Sequence, residues 1–524
     1  MKNTKTIMTL VLKVYLVGCV FFKFIAIIWG NPFPWEVREG VGLKIGEYFS
    51  EGINPYIFTN VEDLPYANYM YGFIIPFVFS LLRCLFSSNY IIACEIFSLI
   101  IEIFGIIFAY KCLKLMNVSN YIAVIASLGV YCAYWRYNGF GGAFPDTFGV
   151  TLSIFLCYLI LRDEKKNKFT PVLYAFILII EFYIKQYFLI IALGVFFYLL
   201  CKNSKAAITF FVTGCLAGGG SLILVRYFMP TFFTGTVLLL NLSNSYSIWR
   251  AFKQFIYLAQ YFGLVYLVFL FYVCNILIKV KKEKCNCFVG SFKYIVDKKF
   301  AYVFIQSIVM GGFLLYFGQS DGTFYTYYLQ LWIPYLVMST AGMINELKSM
   351  LCANDRLAKY LNSSIIPVLG AIVVMMSFGK FTIVTPMSLE QKNEWKYVYN
   401  LLDSYSPDSI RIKDNSFVFY CLERGIYNDA WGHDSIFTEE TLDKLKNLNI
   451  SDLFFPYAEE LTKQFLVYQS TADKKMIDGE FKCVLLTANE AENKKELLTK
   501  YHEIYSTSLW VGGESTNIVI FERN

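Results

Sequence analysis

The chain has 524 residues, 56% hydrophobic, 19% aromatic and only 16% charged, whereas a soluble domain is about 45–50% apolar and about 25% charged. A single water-soluble enzyme, a disordered chain and a collagen-like chain are excluded, and a polytopic α-helical membrane protein is the class that fits. The net charge of +6 is uneven: from Val384 onward there are 15 Lys/Arg and 23 Asp/Glu, leaving 31 basic and 17 acidic residues before it.

In chain order, Lys2 and Lys5 precede an apolar run from Ile7 to Gly30. It is longer than a signal-peptide core and has no small-residue cleavage site, so it reads as a first span that starts in the cytoplasm. A long outer loop, 31–68, follows. Within it Val41, Ile45, Tyr48 and Phe49 fall at helical spacing, with Lys44, Glu47 and Glu51 elsewhere on the wheel. That pattern predicts a helix lying in the membrane interface, stopped by Gly52 and Pro55. The basic stretches Lys111–Lys114, Arg162–Lys168, Lys202–Lys205, Lys279–Lys284 and Lys348–Lys359 are assigned inside, because cytoplasmic loops collect Lys and Arg. They place spans at Tyr90–Tyr110, Tyr121–Trp135, Thr147–Leu161, Pro171–Tyr183, Tyr187–Leu200, Ala206–Tyr227, Phe255–Ile278, Ala301–Phe317, Tyr327–Met343 and Ile365–Ile383. Tyr69–Phe86, with Pro76 and Arg83, breaks the parity if it crosses, so it is expected to lie in the outer leaflet. About 11 spans result.

Residues 1–383 are thus read as the membrane part and 384–524 as a small extracytoplasmic α/β domain. Helices are expected at Glu394–Ser404 and Thr438–Leu448. Strands are expected at Asp408–Ile412, Ser416–Cys421, Asp452–Pro456, Phe481–Leu486, Glu503–Thr507 and Asn517–Phe521. The two histidines, His433 and His502, both fall in this tail, which excludes histidine chemistry within the membrane. Cys421 and Cys483 lie where an oxidising exterior allows a disulfide, and buried free thiols fit their strand positions equally well.

Several polar residues stand out at the outer ends of spans. Lys185, with Gln186, sits in a turn between two short spans. A lysine in an apolar run needs a polar cavity or a partner, so it either contacts an anion or pairs with Glu181 four residues earlier. Asp146 opens a span after Pro145 and reads either as a helix cap or as a site carboxylate. Arg136 beside Trp135, and Asp321 with Tyr325, Tyr327 and Tyr328, are either site groups or part of an interfacial aromatic belt. Glu95 and Glu102, seven apart on one helix face, suggest either helix–helix hydrogen bonding or an ion path.

Four stretches carry a resemblance. The first outer loop, with an acidic residue after the first span, a helix, "EGINPY" and then "P…YMYG" including Tyr71, resembles that of glycosyltransferase superfamily C (the GT-C fold). It is most similar to the bacterial polyprenyl-phosphate-sugar-dependent transferases of the protein-mannosyltransferase and aminoarabinose-transferase type. "GAFPDTFGVTLSIFLCYLILR", "YIKQYFLIIALGVFFYLL" and "GQSDGTFYTYYLQLWIPYL" are similar to later outer-loop motifs of that family, in the same order along the chain. The sequence departs from the pattern in having Glu36 and Glu39 where many members carry Asp-Glu, and in having Ala143-Phe144-Pro145 where an Arg often precedes the second acidic motif.

The resemblance implies an inverting transfer of a monosaccharide from a polyprenyl-phosphate donor to a glycan, lipid or protein acceptor on the outer face of the plasma membrane. It implies Glu39 as the base, with Glu36 as the alternative, and Asp146 as a positioning or metal group. Lys185, Gln186, Arg136, Tyr71, Asp321 and Tyr328 would contact substrate, and a divalent metal cation is the one cofactor it allows. Nucleic acid is not an expected partner. Two other readings remain: a transporter or lipid flippase using Glu95, Glu102, Glu181 and Lys185, and a non-catalytic scaffold for surface-polymer assembly.

Overall fold

The computed structural model describes residues 2–29, 37–57, 71–137, 143–163, 169–242, 247–282, 294–317, 329–351, 368, 387–426, 437–448, 455–493, 499–511 and 514–524. Glu36, Asp321, Tyr325, Tyr327, Tyr328 and nearly all of the expected span Ile365–Ile383 lie outside the described residues, and so does the side chain of Arg136.

The apolar runs fold as helices whose bounds follow the expected spans closely. They are α1 (Lys2–Trp29), α2 (Val37–Ser50), α3 (Ile74–Leu85), α4 (Tyr90–Leu115), α5 (Asn120–Tyr137), α6 (Pro145–Arg162), α7 (Thr170–Ile184), α8 (Ile190–Lys202), α9 (Ser204–Phe228), α10 (Ile248–Lys282), α11 (Ala301–Phe317) and α12 (Leu329–Leu351). Thr4–Trp29, Ser87–Leu115, Pro145–Arg162 and Ser204–Phe228 are long and apolar enough to cross a membrane, and shorter apolar helices accompany them. At 12 residues, α3 is about 18 Å long, well under the roughly 30 Å of a bilayer core.

Helices α4 to α8, α11 and α12 enclose one large apolar core. With no hydrophobic drive between helices in lipid, close contacts and interhelical hydrogen bonds do the holding. Tyr134 on α5 shares a hydrogen bond with Thr151 on α6 (2.8 Å), the Tyr335 hydroxyl of α12 donates to the Ser153 carbonyl of α6 (2.8 Å), and the Trp332 indole donates to the Ser307 carbonyl of α11 (2.9 Å). Gly105 on α4 is required there: a Cβ would sit 2.0 Å from the Tyr134 hydroxyl oxygen.

One acidic residue of α4 pairs with another helix. Glu102 meets Lys23 of α1 at 2.7–2.8 Å with both side chains no more than 1% exposed. This buried pair joins two helices, and it bears the helix-pairing alternative for Glu102. Lys23 lies within the first apolar run, Ile7–Gly30.

The tail runs α13 (Leu389–Asp403), β1 (Ile410–Ile412), α14 (Val418–Arg424), α15 (Glu439–Asn447), α16 (Ala458–Asp478), β2 (Cys483–Thr487), α17 (Ala488–Asn493), β3 (Tyr501–Val511) and β4 (Glu514–Arg523). Ser388 and Gln391 form a reciprocal capping box at the start of α13. The sheet order is β1-β2-β4-β3, with β1 parallel to β2 and the other pairs antiparallel. The strand expected at Ser416–Cys421 is instead a short 3-10 turn running into α14, closed by Gly425 at φ +67°. Its apolar side chains pack on α2 and into the tail core rather than pairing with a strand. Cys421 and Cys483 are buried free thiols.

The tail does not stand apart from the bundle. A second apolar core combines α2 residues Val41, Ile45 and Tyr48, Phe232 and Leu239 from the α9–α10 connection, and Phe437, Leu461 and Phe465 from the tail. The Thr234 hydroxyl donates to the Pro456 carbonyl (3.0 Å) and Lys444 to the Leu242 carbonyl (2.9 Å).

Candidate functional site

Helix α6 begins with Pro145, whose fixed φ suits a first helical position. Its N-cap, Phe144, makes no side-chain cap, so Asp146 is not the cap that one alternative predicted. Its carboxylate turns sideways to the end of α7. There the helix stops at Ile184, Lys185 adopts an extended backbone (φ −161°, ψ 128°), and a 3-10 turn from Gln186 to Leu189 leads into α8. The break projects Lys185 across the gap: Nζ lies 3.1 and 3.0 Å from the two Asp146 oxygens. The Tyr187 hydroxyl donates to the same carboxylate. Lys185 is thus paired across 39 residues of sequence and not with Glu181, whose backbone carbonyl it caps. Among the described residues the Glu181 carboxylate has no hydrogen-bond partner.

Two aromatic rings complete the surroundings. The Lys185 ammonium lies 4.3 Å from the Tyr71 ring centroid and 4.7 Å from that of Tyr187, within cation–π range. Lys185 and Asp146 are each 3% exposed. Tyr71 reaches this place because Gly72 docks its amide on the last carbonyl of α7 (Gly72 N to Ile184 O, 3.0 Å). A Cβ on Gly72 would fall 1.7 Å from the Tyr183 carbonyl oxygen. Gly72→Ala is therefore expected to push the Tyr71 segment off α7. It should cost about 1–3 kcal/mol, read as a lowered Tm, and disturb the Tyr71–Lys185 contact.

Glu39 reaches the same end of the bundle from α2. Fully buried, its Oε1 accepts a hydrogen bond from the Ala143 amide at 2.6 Å, three residues before Asp146. Behind it Gly40 faces the tail: a Cβ there would lie 3.1 and 3.2 Å from Val418 and Phe419 of α14. The tail helix therefore presses against the back of the turn that aims Glu39. Gln186, expected to contact substrate, donates its side-chain amide to the Thr236 carbonyl and so ties the α7–α8 turn to the α9–α10 connection.

The helical spacing in the first outer loop is correct, but α2 does not lie open on an interface. From Glu39 to Tyr48 it is buried, with α3 on one side and α14 on another. Its charges are matched by partners: Lys44 Nζ lies 2.8 Å from both Glu47 and Glu423 of α14, and Arg83 of α3 lies 3.4 Å from Glu47. Glu47, on the polar side of the wheel, is only 5% exposed. Burial, with a hydrogen bond to Glu423, pushes its carboxyl up to about 7 against the pull of Lys44, while Glu423 is held below its ordinary value because Glu47 and Lys44 donate to it. A raised acid favours the folded state while protonated and loses that contribution as pH rises through its folded value. The Glu47 contribution should therefore fall between pH 4.5 and about 7, and Glu47→Gln should flatten that slope. Hydrogen exchange of the α14 amides between pH 5 and 7.5 measures it: protection drops in the wild type and holds level in the variant.

Sequence reasoning missed Tyr187, Lys23 and Glu423. Tyr187 was within reach, two residues after the lysine in a turn. Glu423 gave no signal, because its meaning depends on α14 landing on α2. Among the described residues, no group of three or more His, Cys, Asp and Glu could hold a metal ion. Asp146 pairs with Lys185 and Glu39 accepts from the Ala143 amide, so as placed these two described carboxylates do not form a divalent-cation site.

No family model matches the chain, and neither does any curated protein. Among solved structures, it is similar to the aminoarabinose transferase ArnT from Cupriavidus metallidurans bound to undecaprenyl phosphate, at 10% identity and a TM-score of 0.45, with 97% of each chain covered. The apo form of that protein gives a TM-score of 0.48 at the same identity and coverage. The Archaeoglobus fulgidus oligosaccharyltransferase in complex with Zn and sulfate is similar at 10% identity and a TM-score of 0.47, over 96% of this chain and 72% of that one.

Proposed function

We propose that this protein is a membrane glycosyltransferase that moves a monosaccharide from a polyprenyl-phosphate donor to a hydroxyl of a cell-surface acceptor, with inversion, on the outer face of the plasma membrane. The observation that carries the reading is convergence. Glu39, Tyr71, Asp146, Lys185 and Tyr187 come from four separate stretches of sequence: Lys185 meets Asp146, Tyr71 and Tyr187, Glu39 binds the Ala143 amide three residues from Asp146, and the three charged groups are buried at the end of the bundle where the tail docks.

Depth supports a lipid-linked substrate. Helix α7 has 15 residues and is about 22 Å long. Starting from the cytoplasmic surface, it would end roughly 8 Å short of the outer limit of the hydrocarbon, where a polyprenyl phosphate can be met. Lys185 is the cation for the donor phosphate, and Asp146 is the positioning residue that compensates its burial and fixes its direction. Tyr71 and Tyr187 wall the ammonium with their rings.

In the reaction, Glu39 takes the proton from the acceptor hydroxyl as that oxygen bonds to the anomeric carbon. The bond from the anomeric carbon to the phosphate oxygen breaks, and the electron pair leaves with the polyprenyl phosphate. Lys185 stabilises the charge that grows on that oxygen. A single displacement inverts the anomeric centre. The tail covers the site and contributes to acceptor choice.

The test is reconstitution of the full chain in proteoliposomes with a panel of polyprenyl-phosphate monosaccharides, following release of polyprenyl phosphate. Donor-dependent release supports the reading. Absence of release with every donor, with ion or lipid movement in its place, overturns it in favour of a transporter; absence of both favours a scaffold.

A further inference from the structure

We propose a second ligand site at the opposite end of the same helices, a pocket that holds the headgroup of an anionic phospholipid. It does not depend on the sugar-transfer reading. A cavity of about 530 Å³ opens there, walled by Asp163, Tyr174, Tyr198, Lys202, Asn203 and Lys205, with Ile160, Pro171 and Leu199 lining its apolar side. Asp146 opens α6 and Asp163 follows its last residue, so the two sites are about 25 Å apart along that helix. Likewise Lys185 ends α7, and Tyr174 sits in its first turns.

The cavity is of ligand size, and its chemistry is divided in the way a phospholipid is. On the polar side, α8 ends at Lys202, Asn203 caps α9 by accepting the Ala206 amide, and Lys205 follows in the first turn. The two ammoniums flank the N-terminal end of a 25-residue helix, whose amides and dipole also favour an anion. Lys202 is only loosely engaged, 3.8 Å from the exposed Asp297. Asp163 supplies an acceptor for headgroup hydroxyls, which fits a glycerol headgroup. On the apolar side, Leu173 of α7, Leu200 of α8 and Ile208 of α9 stand 48%, 48% and 61% exposed. These helices present their exposed faces to lipid, so acyl chains have a surface to follow that a soluble anion would not use. Both neighbouring connections, Arg162–Lys168 and Lys202–Lys205, are the basic stretches assigned to the cytoplasmic side, where anionic lipids attract such residues.

The experiment is native mass spectrometry of the full chain, released from detergent and titrated with phosphatidylglycerol, with phosphatidylcholine and with inorganic phosphate. The wild type is expected to retain one phosphatidylglycerol in clear preference to phosphatidylcholine, with millimolar phosphate leaving that occupancy unchanged. K202Q/K205Q should weaken retention roughly tenfold or more, whereas K281Q/K282Q, which removes the same charge elsewhere on the basic face, should not. Both pocket lysines are exposed, so the variant keeps its fold, checked by an unchanged Tm. Equal retention of the two lipids, or equal retention by wild type and K202Q/K205Q, overturns the proposal. So does displacement by inorganic phosphate, which would make this a soluble-anion site, or an equal loss in K281Q/K282Q, which would make the attraction a property of the whole face.

Discussion

Glu39→Gln is expected to lower sugar transfer by about 10²- to 10⁴-fold, the range supplied by a positioned general base, while leaving donor binding and Tm close to the wild type. The substitution keeps a carbonyl oxygen that can accept the Ala143 amide, 2.6 Å from Glu39 Oε1, and removes the ability to take a proton. A fall in kcat with little change in KM for the donor is the signature, because the lost interaction exists only in the transition state. Glu36→Gln is the comparison. An unchanged rate in the Glu39 variant, with loss in the Glu36 variant, would move the base by three residues. Loss in neither would remove both from the chemistry.

Much of the helical framework was legible because membrane spans write themselves as long apolar runs. The expected run Ala301–Phe317 is α11 to the residue, and Thr147–Leu161 differs from α6 by two residues at one end and one at the other. The tail was harder. Ser416–Cys421 is aromatic and β-branched, which favours a strand locally. However, Phe417, Val418, Cys421 and Leu422 also repeat at helical spacing before Gly425, and docking on α2 decided for the helix. The longest tail helix, α16, was not anticipated at all. Its core positions Leu461, Phe465, Ala472 and Met476 are separated by four, seven and four residues and end at Gly479, which closes it at φ +72°. That is a readable pattern, diluted by the charged residues between.

The site was legible in residue types and not in pairings. A buried lysine announces that something compensates it, but the sequence offered Glu181 on the same helix as the nearer choice. Asp146 prevails because the helix breaks at Lys185 and sends the side chain away from the α7 axis. Likewise the polar positions of α2 read as solvent-facing until Glu423 and Arg83 cover them. Periodicity shows which side of a helix is polar, but not whether water or a complementary charge meets it.

The Asp146–Lys185 pair separates stability from function. Removing one member leaves the other as an uncompensated buried charge, which costs about 3–5 kcal/mol, whereas neutralising both together is often nearly neutral. Lys185→Met is therefore expected to lower Tm strongly and to abolish donor binding, and Asp146→Asn to lower Tm while leaving the ammonium under the Tyr71 and Tyr187 rings. The double variant D146N/K185M should recover most of the lost Tm, with a coupling energy of the sign and size that a double-mutant cycle resolves for residues in contact. It should not recover donor binding, because the phosphate still lacks its cation. Lys185→Arg keeps the charge in a different shape and should bind the donor weakly but measurably. Recovery of both stability and transfer in the double variant would make the pair a structural joint between α6 and α7 and no part of the phosphate site.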